Sequence, residues 1–152
     1  MMPIEGNTHR FILEMERFCA YQERSAFEIK TKLHRKGATD EQVELVIKHL
    51  ISNNFLNEAR FVEAFVQGKS SIKQWGAQRI KSGLRAHYIA EPLINQALAS
   101  LSKSDVQANL QRWLQKKQNS LKTEEDGPKK RAKIIRFLLS KGFTLDEILK
   151  VV

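Results

Sequence analysis

Apolar residues recur at spacings of three and four along most of the chain, which is the period of an amphipathic helix. Val43, Val46, Ile47 and Leu50 form one such stripe, and no segment shows the alternation typical of a half-buried strand. Only 7 glycines and 3 prolines interrupt the 152 residues. The pattern therefore predicts an all-α fold.

The breaks between stripes have residue types that end and begin helices. Gly37 follows "LHRK" and predicts a C-terminal cap, since glycine readily adopts the left-handed backbone conformation. Thr39, with Gln42 three residues later, predicts a capping box at the start of the next helix. These signals place a short turn between two helices.

One more helix is predicted over residues 76–88. Its packed face would carry Ala77, Ile80, Leu84 and Tyr88, because these positions recur at the helical period. The opposite face is rich in cations.

The same helix-turn-helix pattern occurs three times. A shift of 51 residues, followed by a further shift of 54, brings apolar residues onto apolar residues at four positions. Each copy has an apolar pair four residues apart, a break, and a second apolar pair. The superposed sets are Ile29, Ile80 and Ile134; Leu33, Leu84 and Leu138; Val43, Ile94 and Ile148; and Ile47, Leu98 and Val152.

A further helical stripe precedes each copy, so the sequence predicts three tandem three-helix modules. Their boundaries are predicted at residues 1–55, 56–102 and 103–152, with a polar loop at about 119–128. A two-helix hairpin buries too little apolar surface to be stable alone. The third helix and the neighbouring module would supply the rest of the core.

Positive charge is concentrated in the second and third modules. The formal net charge is +9, and it divides into 0 for residues 1–55, +3 for 56–102 and +6 for 103–152. A basic balance of this size favours a polyanionic partner, although an acidic protein surface fits as well as DNA or RNA. The last two modules are the candidates for that contact.

The central module contains the first group of candidate residues. No acidic residue lies between Glu63 and Glu91, and the outward face of the helix at 76–88 is cationic. A cationic face can bind a polyanion or can simply be solvated, and Trp75 can stack on a partner or pack in the core. The candidates for binding DNA or a partner are Lys69, Lys73, Trp75, Arg79, Lys81 and Arg85.

A second basic group opens a helix of the third module. Cations at a helix N-terminus oppose the helix dipole, so such a run without structural gain indicates function. The alternative is an exposed run beside the acidic "EED" at 124–126. The candidates are Lys129, Lys130, Arg131, Lys133 and Arg136.

Residue patterns for catalysis are missing from the sequence. The 4 histidines are scattered, and no phosphate-binding glycine loop, serine nucleophile motif or dinucleotide fingerprint occurs. Cys19 lies on an apolar stripe and is expected to be buried. We expect no enzymatic activity, no metal and no cofactor.

The expected setting is cytoplasmic. A single cysteine excludes an internal disulfide and fits a reducing compartment. No apolar run reaches the length of a signal peptide or a membrane span, so we expect a soluble protein.

Four segments of the chain, taken in order, match the motifs of one protein family. The first is "CAYQERSAFEIKTKLHRKG", followed by "VIKHLISNNFLNEARFVEAFV", "KQWGAQRIKSGLRAHYI" and "IIRFLLSKGFTLDEILKVV". The chain departs from the family pattern at Glu58, at Gly83 and at His87-Tyr88, where Lys-Gly is usual. The matching residues are Arg24, Ser25, Glu28, Leu33, Lys36 and Gly37; Leu50, Leu56, Asn57 and Phe61; Gly76, Arg79, Ile80 and Leu84; and Phe137, Leu138, Gly142, Phe143 and Ile148. In these segments the chain resembles the RecX family of bacterial RecA regulators.

This resemblance implies an elongated, curved monomer of three three-helix repeats that lies in the groove of a RecA filament on DNA. It implies inhibition of ATP hydrolysis and strand exchange by the recombinase, and weak or filament-associated contact with single- and double-stranded DNA. The residues alone leave two alternatives open: an autonomous helix-turn-helix DNA-binding protein, and an RNA-associated helical adaptor.

Overall fold

The computed structural model describes residues 6–152, and every regular element in this range is an α-helix. The all-α prediction is therefore confirmed. The helices are α1 (Gly6–Tyr21), α2 (Ala26–Arg35), α3 (Asp40–Ser52), α4 (Glu58–Ser71), α5 (Ala77–Ala86), α6 (Glu91–Ala99), α7 (Lys103–Ser120), α8 (Pro128–Ser140) and α9 (Leu145–Leu149).

The threefold repeat is present in the core. At the first three superposed positions, all nine side chains are buried, and Leu33, Leu84 and Leu138 have no exposed surface. At the fourth position, Ile47, Leu98 and Val152 are all half-buried. The apolar residues that repeat in the sequence thus occupy the same kind of environment in each copy.

The predicted helix ends of the first copy are confirmed. Gly37 has a φ of 87°, and the Thr39 hydroxyl accepts a 3.1 Å hydrogen bond from the Gln42 N–H while the Gln42 side chain accepts a 2.9 Å bond from the Thr39 N–H. In the third copy Gly142, with a φ of 100°, and Thr144 take the same roles. Local sequence therefore determines both turns.

The prediction for α5 is wrong at its C-terminal end. The helix stops at Ala86 instead of reaching residue 88, and Tyr88 is largely exposed instead of packed. The reason is the backbone at Tyr88, whose φ of 58° ends the helix and turns the side chain out of the apolar stripe. The loop predicted at 119–128 is also shorter, since α7 continues to Ser120 and α8 begins at Pro128.

The chain forms two compact units, and the division falls inside α4. One unit contains the described residues up to Ala64 together with His87–Ile89. The other contains Phe65–Ala86 and Ala90–Val152. The module boundaries at 55/56 and 102/103 remain predictions.

In the first unit, α1 and α2 pack against α3. Met15, Ile29 and Val46 have no exposed surface at the centre of this core. Cys19 lies in the same core, as expected, and burial raises the pKa of its thiol. A thiol held protonated and covered by apolar side chains is a packing residue.

In the second unit, two backbone segments touch directly. The Gly76 N–H donates a 2.7 Å hydrogen bond to the Lys141 carbonyl, and the Gln78 N–H donates a 2.9 Å bond to the Gly142 carbonyl. A Cβ atom on Gly76 would lie 2.5 Å from the carbonyl carbon of Gly142. The segment before α5 and the turn after α8 can therefore approach this closely only because both carry glycine.

Gly83, in the interior of α5, has a packing reason as well. A Cβ atom at this position would lie 2.6 Å from the Cζ atom of Phe65. Glycine in a helix interior costs about 1 kcal/mol relative to alanine. At this position a larger residue would collide with the ring of Phe65, so glycine is required for the two to pack.

We expect Gly76→Ala to lower the free energy of unfolding by about 2 kcal/mol, because the new methyl group would force the backbones of Gly76 and Gly142 apart. Urea denaturation followed by circular dichroism measures this loss. Gly68→Ala is the matched control, since nothing lies within 4 Å of its Cβ position. The control should be neutral or slightly stabilising, and equal losses in the two variants would contradict the contact.

Candidate functional site

Two side chains of α7 hold the segment that links α4 to α5. The Trp113 Nε1–H donates a 2.8 Å hydrogen bond to the Gln74 carbonyl, and the buried Asn109 donates a 2.9 Å bond to the Ser70 carbonyl. Gln74 has a left-handed backbone with a φ of 58°. The Asn109 bond satisfies a carbonyl in the last turn of α4, where helical partners are absent, and the Trp113 bond satisfies a carbonyl of the segment that follows the helix.

Trp75, next in this segment, lies between two cations. The Lys69 ammonium is 4.9 Å from the centroid of the Trp75 ring, and the Arg79 guanidinium is 4.3 Å from it. Arg79 also donates a 3.2 Å hydrogen bond to the Ser140 carbonyl. Trp75 is half-buried, so it is neither a core residue nor a fully open stacking surface. Its ring fixes the positions of two positive charges.

A second tryptophan holds two more cations. The Lys141 ammonium lies 4.2 Å from the centroid of the Trp113 ring, and the Lys116 ammonium lies 5.2 Å from it. The ring of Phe137 meets Trp113 edge to face at a centroid distance of 5.8 Å. The indole therefore binds the α4–α5 segment through its N–H and cations through its ring.

These residues form one cluster, which we call the cation–aromatic cluster: Lys69, Trp75, Arg79, Trp113, Lys116 and Lys141. Desolvation lowers the pKa of the Lys141 ammonium, and the charges of Arg79 and Lys116 lower this pKa further. Within residues 6–152, none of the four cations forms an ion pair with a carboxylate. Concentrated positive charge of this kind, beside aromatic rings, is suited to binding phosphate groups.

The other candidate cations of the central module differ in their exposure and in their pairing with a carboxylate. Lys73 is exposed, whereas Lys81 is half-buried and close enough to Glu91 to lower the pKa of that carboxyl. Arg85 forms a two-pronged ion pair with Glu91, at 2.6 Å from Nε to Oε1 and 3.2 Å from Nη2 to Oε2. This pairing is the main cause of the lowered pKa of Glu91. A polyanion would have to compete with Glu91 for Arg85.

The basic group of α8 is divided by the acidic loop that precedes it. Lys130 lies 2.9 Å from a carboxylate oxygen of Asp126, and Lys133 lies 2.6 Å from one of Glu124. The other three cations are exposed: Lys129, Arg131 and Arg136. About half of this predicted group is therefore neutralised locally.

Sequence reasoning did not include Trp113, Lys116 and Lys141 among the site residues. Trp113 lies at helical spacing from the apolar residue Leu110, and Lys141 stands alone before a glycine. Their common location depends on contacts between residues about 40 or more positions apart, such as that of Trp113 with Gln74. The lysines alone carry no signal of that contact.

In residues 6–152, no three His, Cys, Asp or Glu side chains gather as a metal site would require. Over the same range, no helix combines the length and the apolar character needed to cross a bilayer.

Comparison with protein families matches three RecX models in the order of the modules. They are described as the first, second and third three-helix domains of RecX, and they match residues 15–50, 57–98 and 104–152. The three three-helix domains expected from the internal repeat are thereby confirmed.

Relatives and solved structures agree with these matches. "Regulatory protein RecX" of Clostridium botulinum strain Eklund 17B is 34% identical over 82% of this chain, and the match spans 58% of that protein. The protein of that name in Pseudomonas putida strain W619 is 31% identical over 85% of this chain and 80% of its own length. This chain thus aligns with less than two thirds of the Clostridium relative.

Two crystal structures share the fold. One, described as regulatory protein RecX, has a TM-score of 0.85 at 19% identity and covers 95% of this chain and 72% of its own. RecX from Lactobacillus salivarius has a TM-score of 0.78 at 22% identity and covers 94% of this chain and 92% of its own.

We expect Glu91→Gln to strengthen the binding of DNA, because it removes one negative charge and releases Arg85 from its ion pair. Titration of labelled DNA at several salt concentrations should show tighter binding and a slope of log K against log salt that is steeper by about one. Asp146→Gln, which changes the charge equally without releasing a paired arginine, is the control. A Glu91→Gln effect no larger than the control would show that Arg85 makes no contact.

We expect Lys116→Gln combined with Lys141→Gln to weaken binding of single-stranded DNA and to reduce its salt slope by about 1.4, as two lost phosphate contacts would. Fluorescence anisotropy measures both quantities. Lys122→Gln combined with Lys150→Gln removes the same charge from exposed lysines outside the cation–aromatic cluster. Equal losses for the two pairs would indicate a general charge effect without a site.

Proposed function

Since the chain belongs to the RecX family, we propose that it binds RecA nucleoprotein filaments and inhibits or modulates ATP hydrolysis and strand exchange by the recombinase. It does so without catalysis of its own and without a cofactor. It acts as a monomer in the cytoplasm, and its contact with single- and double-stranded DNA is weak or depends on the filament.

The observation that carries this proposal is the cation–aromatic cluster of the second unit. Four cations lie around two tryptophans without a carboxylate partner in the described residues. Desolvation is the main cause of the lowered pKa of Lys141, and repulsion from Arg79 and Lys116 adds to it. Keeping like charges together costs free energy unless an anion offsets it. Phosphate groups of filament DNA, or acidic residues on the filament surface, would supply that anion.

The outer cations would extend this contact. Lys73 and the three exposed cations of α8, Lys129, Arg131 and Arg136, carry charge that no ion pair within residues 6–152 neutralises. These charges are spread along α8 and the segment before α5, which favours a long, repetitive polyanionic partner over a small ligand, because a small ligand would be held in one enclosed pocket. A nucleoprotein filament has that character.

Binding to a filament would also explain why the affinity of this protein for DNA alone is expected to be modest. Contacts made to both the DNA and the protein of a filament add their free energies, whereas naked DNA supplies only part of them. We therefore expect the protein to bind a recombinase filament at lower concentration than it binds free DNA.

The test is recombinase ATPase on single-stranded DNA with the purified protein added. The wild-type protein should lower the rate, and the Lys116→Gln and Lys141→Gln pair should require several-fold more protein for the same effect. The Lys122→Gln and Lys150→Gln pair should inhibit like the wild type. An unchanged rate at stoichiometric wild-type protein would overturn the proposal.

One observation favours a second function, an autonomous DNA-binding protein. The first turn of α8 presents the exposed cations Lys129 and Arg131 at the start of the second-last helix, where a helix-turn-helix protein could contact duplex DNA. This function requires tight, sequence-dependent binding to duplex DNA in the absence of recombinase. The same anisotropy assay with duplexes of different sequence separates the two.

A further inference from the structure

Tyr88 occupies a backbone position where the other two copies of the repeat have glycine. The shifts of 51 and 54 residues that superpose the cores also superpose Gly37, Tyr88 and Gly142. All three have a positive φ, of 87°, 58° and 100°. This conformation is easy for glycine but strained for a bulky side chain, because its Cβ atom crowds the backbone. The central copy thus maintains a strained tyrosine where glycine would fit.

Burial of the Tyr88 side chain in the core does not compensate for this backbone strain. Tyr88 is 77% exposed, and the ring it meets, that of Phe27, is itself 38% exposed. The two ring centroids are 4.9 Å apart with planes tilted by 52°. Both residues belong to the first compact unit, where they form an exposed aromatic pair. Backbone strain that is not compensated by core packing is characteristic of functional surfaces.

Positive charge adjoins this aromatic pair. Phe27 lines a crevice of about 490 Å³ together with Lys32 and Arg35, one and two turns further along α2. Arg35 is exposed, and Lys32 is half-buried with its ammonium 4.0 Å from the ring centroid of Phe18.

The one carboxylate of the crevice is already engaged. Glu28 accepts a 3.1 Å hydrogen bond from the Ser25 N–H and lies 3.7 Å from Arg24. Its charge therefore does little to offset that of Lys32 and Arg35, and the rim of the crevice favours an anionic ligand.

We infer that Tyr88 and Phe27 form a stacking platform for an unpaired base of single-stranded DNA, with Lys32 and Arg35 beside the adjoining phosphates. An exposed aromatic ring binds any base through its face, and nearby cations follow the backbone. A duplex is excluded from this contact because its base faces are covered by neighbouring base pairs. The inference concerns the first unit alone and does not depend on the cation–aromatic cluster.

Tyr88→Gly tests the platform because stability and binding should change in opposite directions. Relief of the strained backbone should raise the melting temperature by about 2–4 °C, while loss of the ring should weaken binding of a labelled oligothymidylate about tenfold. Tyr21→Ala removes another exposed tyrosine of the same unit, 84% exposed at the end of α1, and should leave binding unchanged.

An abasic strand of equal length separates stacking from charge. Tyr88→Gly should bind it as the wild type does, whereas Lys32→Gln combined with Arg35→Gln should bind both strands more weakly. If Tyr88→Gly binds oligothymidylate like the wild type, or loses equal affinity for the abasic strand, the platform is overturned.

The recombinase assay then distinguishes a protein partner. Should Tyr88→Gly retain DNA binding but lose inhibition of the ATPase, the aromatic pair contacts protein and the inference is wrong, while the proposed function stands. The oligonucleotide measurements contain no recombinase, so failure of the proposed function leaves their outcome unaffected.

Discussion

The backbone contact between Gly76 and Gly142 is the constraint on which the candidate site depends. Two hydrogen bonds join the start of α5 to the turn after α8, and a side chain on either glycine would prevent them. Lys141 lies at that turn, so the same contact that closes the second unit brings its ammonium near Arg79 and over Trp113. A structural requirement for close backbone approach thereby also positions the charges, and site and fold cannot be altered independently at these positions.

The free-energy balance within the cluster explains why its charges are held by aromatic rings. Carboxylates would neutralise the cations and abolish their attraction for an anion. Indole rings attract cations through their negative faces, typically by about 0.5–1 kcal/mol at exposed sites, yet leave the positive charge in place. The lowered pKa of Lys141 reflects what remains uncompensated, namely partial desolvation and repulsion from Arg79 and Lys116. At Arg85 the arrangement is reversed, since Glu91 satisfies the guanidinium and removes most of its attraction for a partner.

Local sequence patterns predicted what local physics determines. The apolar repeat placed the core, and Gly37 with Thr39 placed a helix end and a helix start, because caps and amphipathic faces involve residues a few positions apart. The Arg85–Glu91 pair was missed although the two are six residues apart, since the pairing depends on the turn that ends α5. The contact of Trp113 with Gln74 lay beyond such reasoning altogether. The error at Tyr88 has the same origin: the apolar period continued through a residue whose backbone had already left the helix.

The two proposed surfaces, the aromatic pair of Tyr88 and Phe27 and the cation–aromatic cluster, would attract a nucleic acid by different physical means. In the cluster, attraction comes from concentrated charge. It weakens steeply as the salt concentration rises, because the free energy gained by releasing counterions becomes smaller. In the first unit, where residues 1–55 have no net charge, long-range attraction is weak and the exposed rings of Tyr88 and Phe27 provide contact area instead. Stacking itself depends on unpaired bases and little on salt, so the rings would contact an unpaired base, whereas the cations of the cluster would contact phosphates. Of the two proposed surfaces, only the aromatic pair would therefore distinguish single-stranded DNA from a duplex of equal charge.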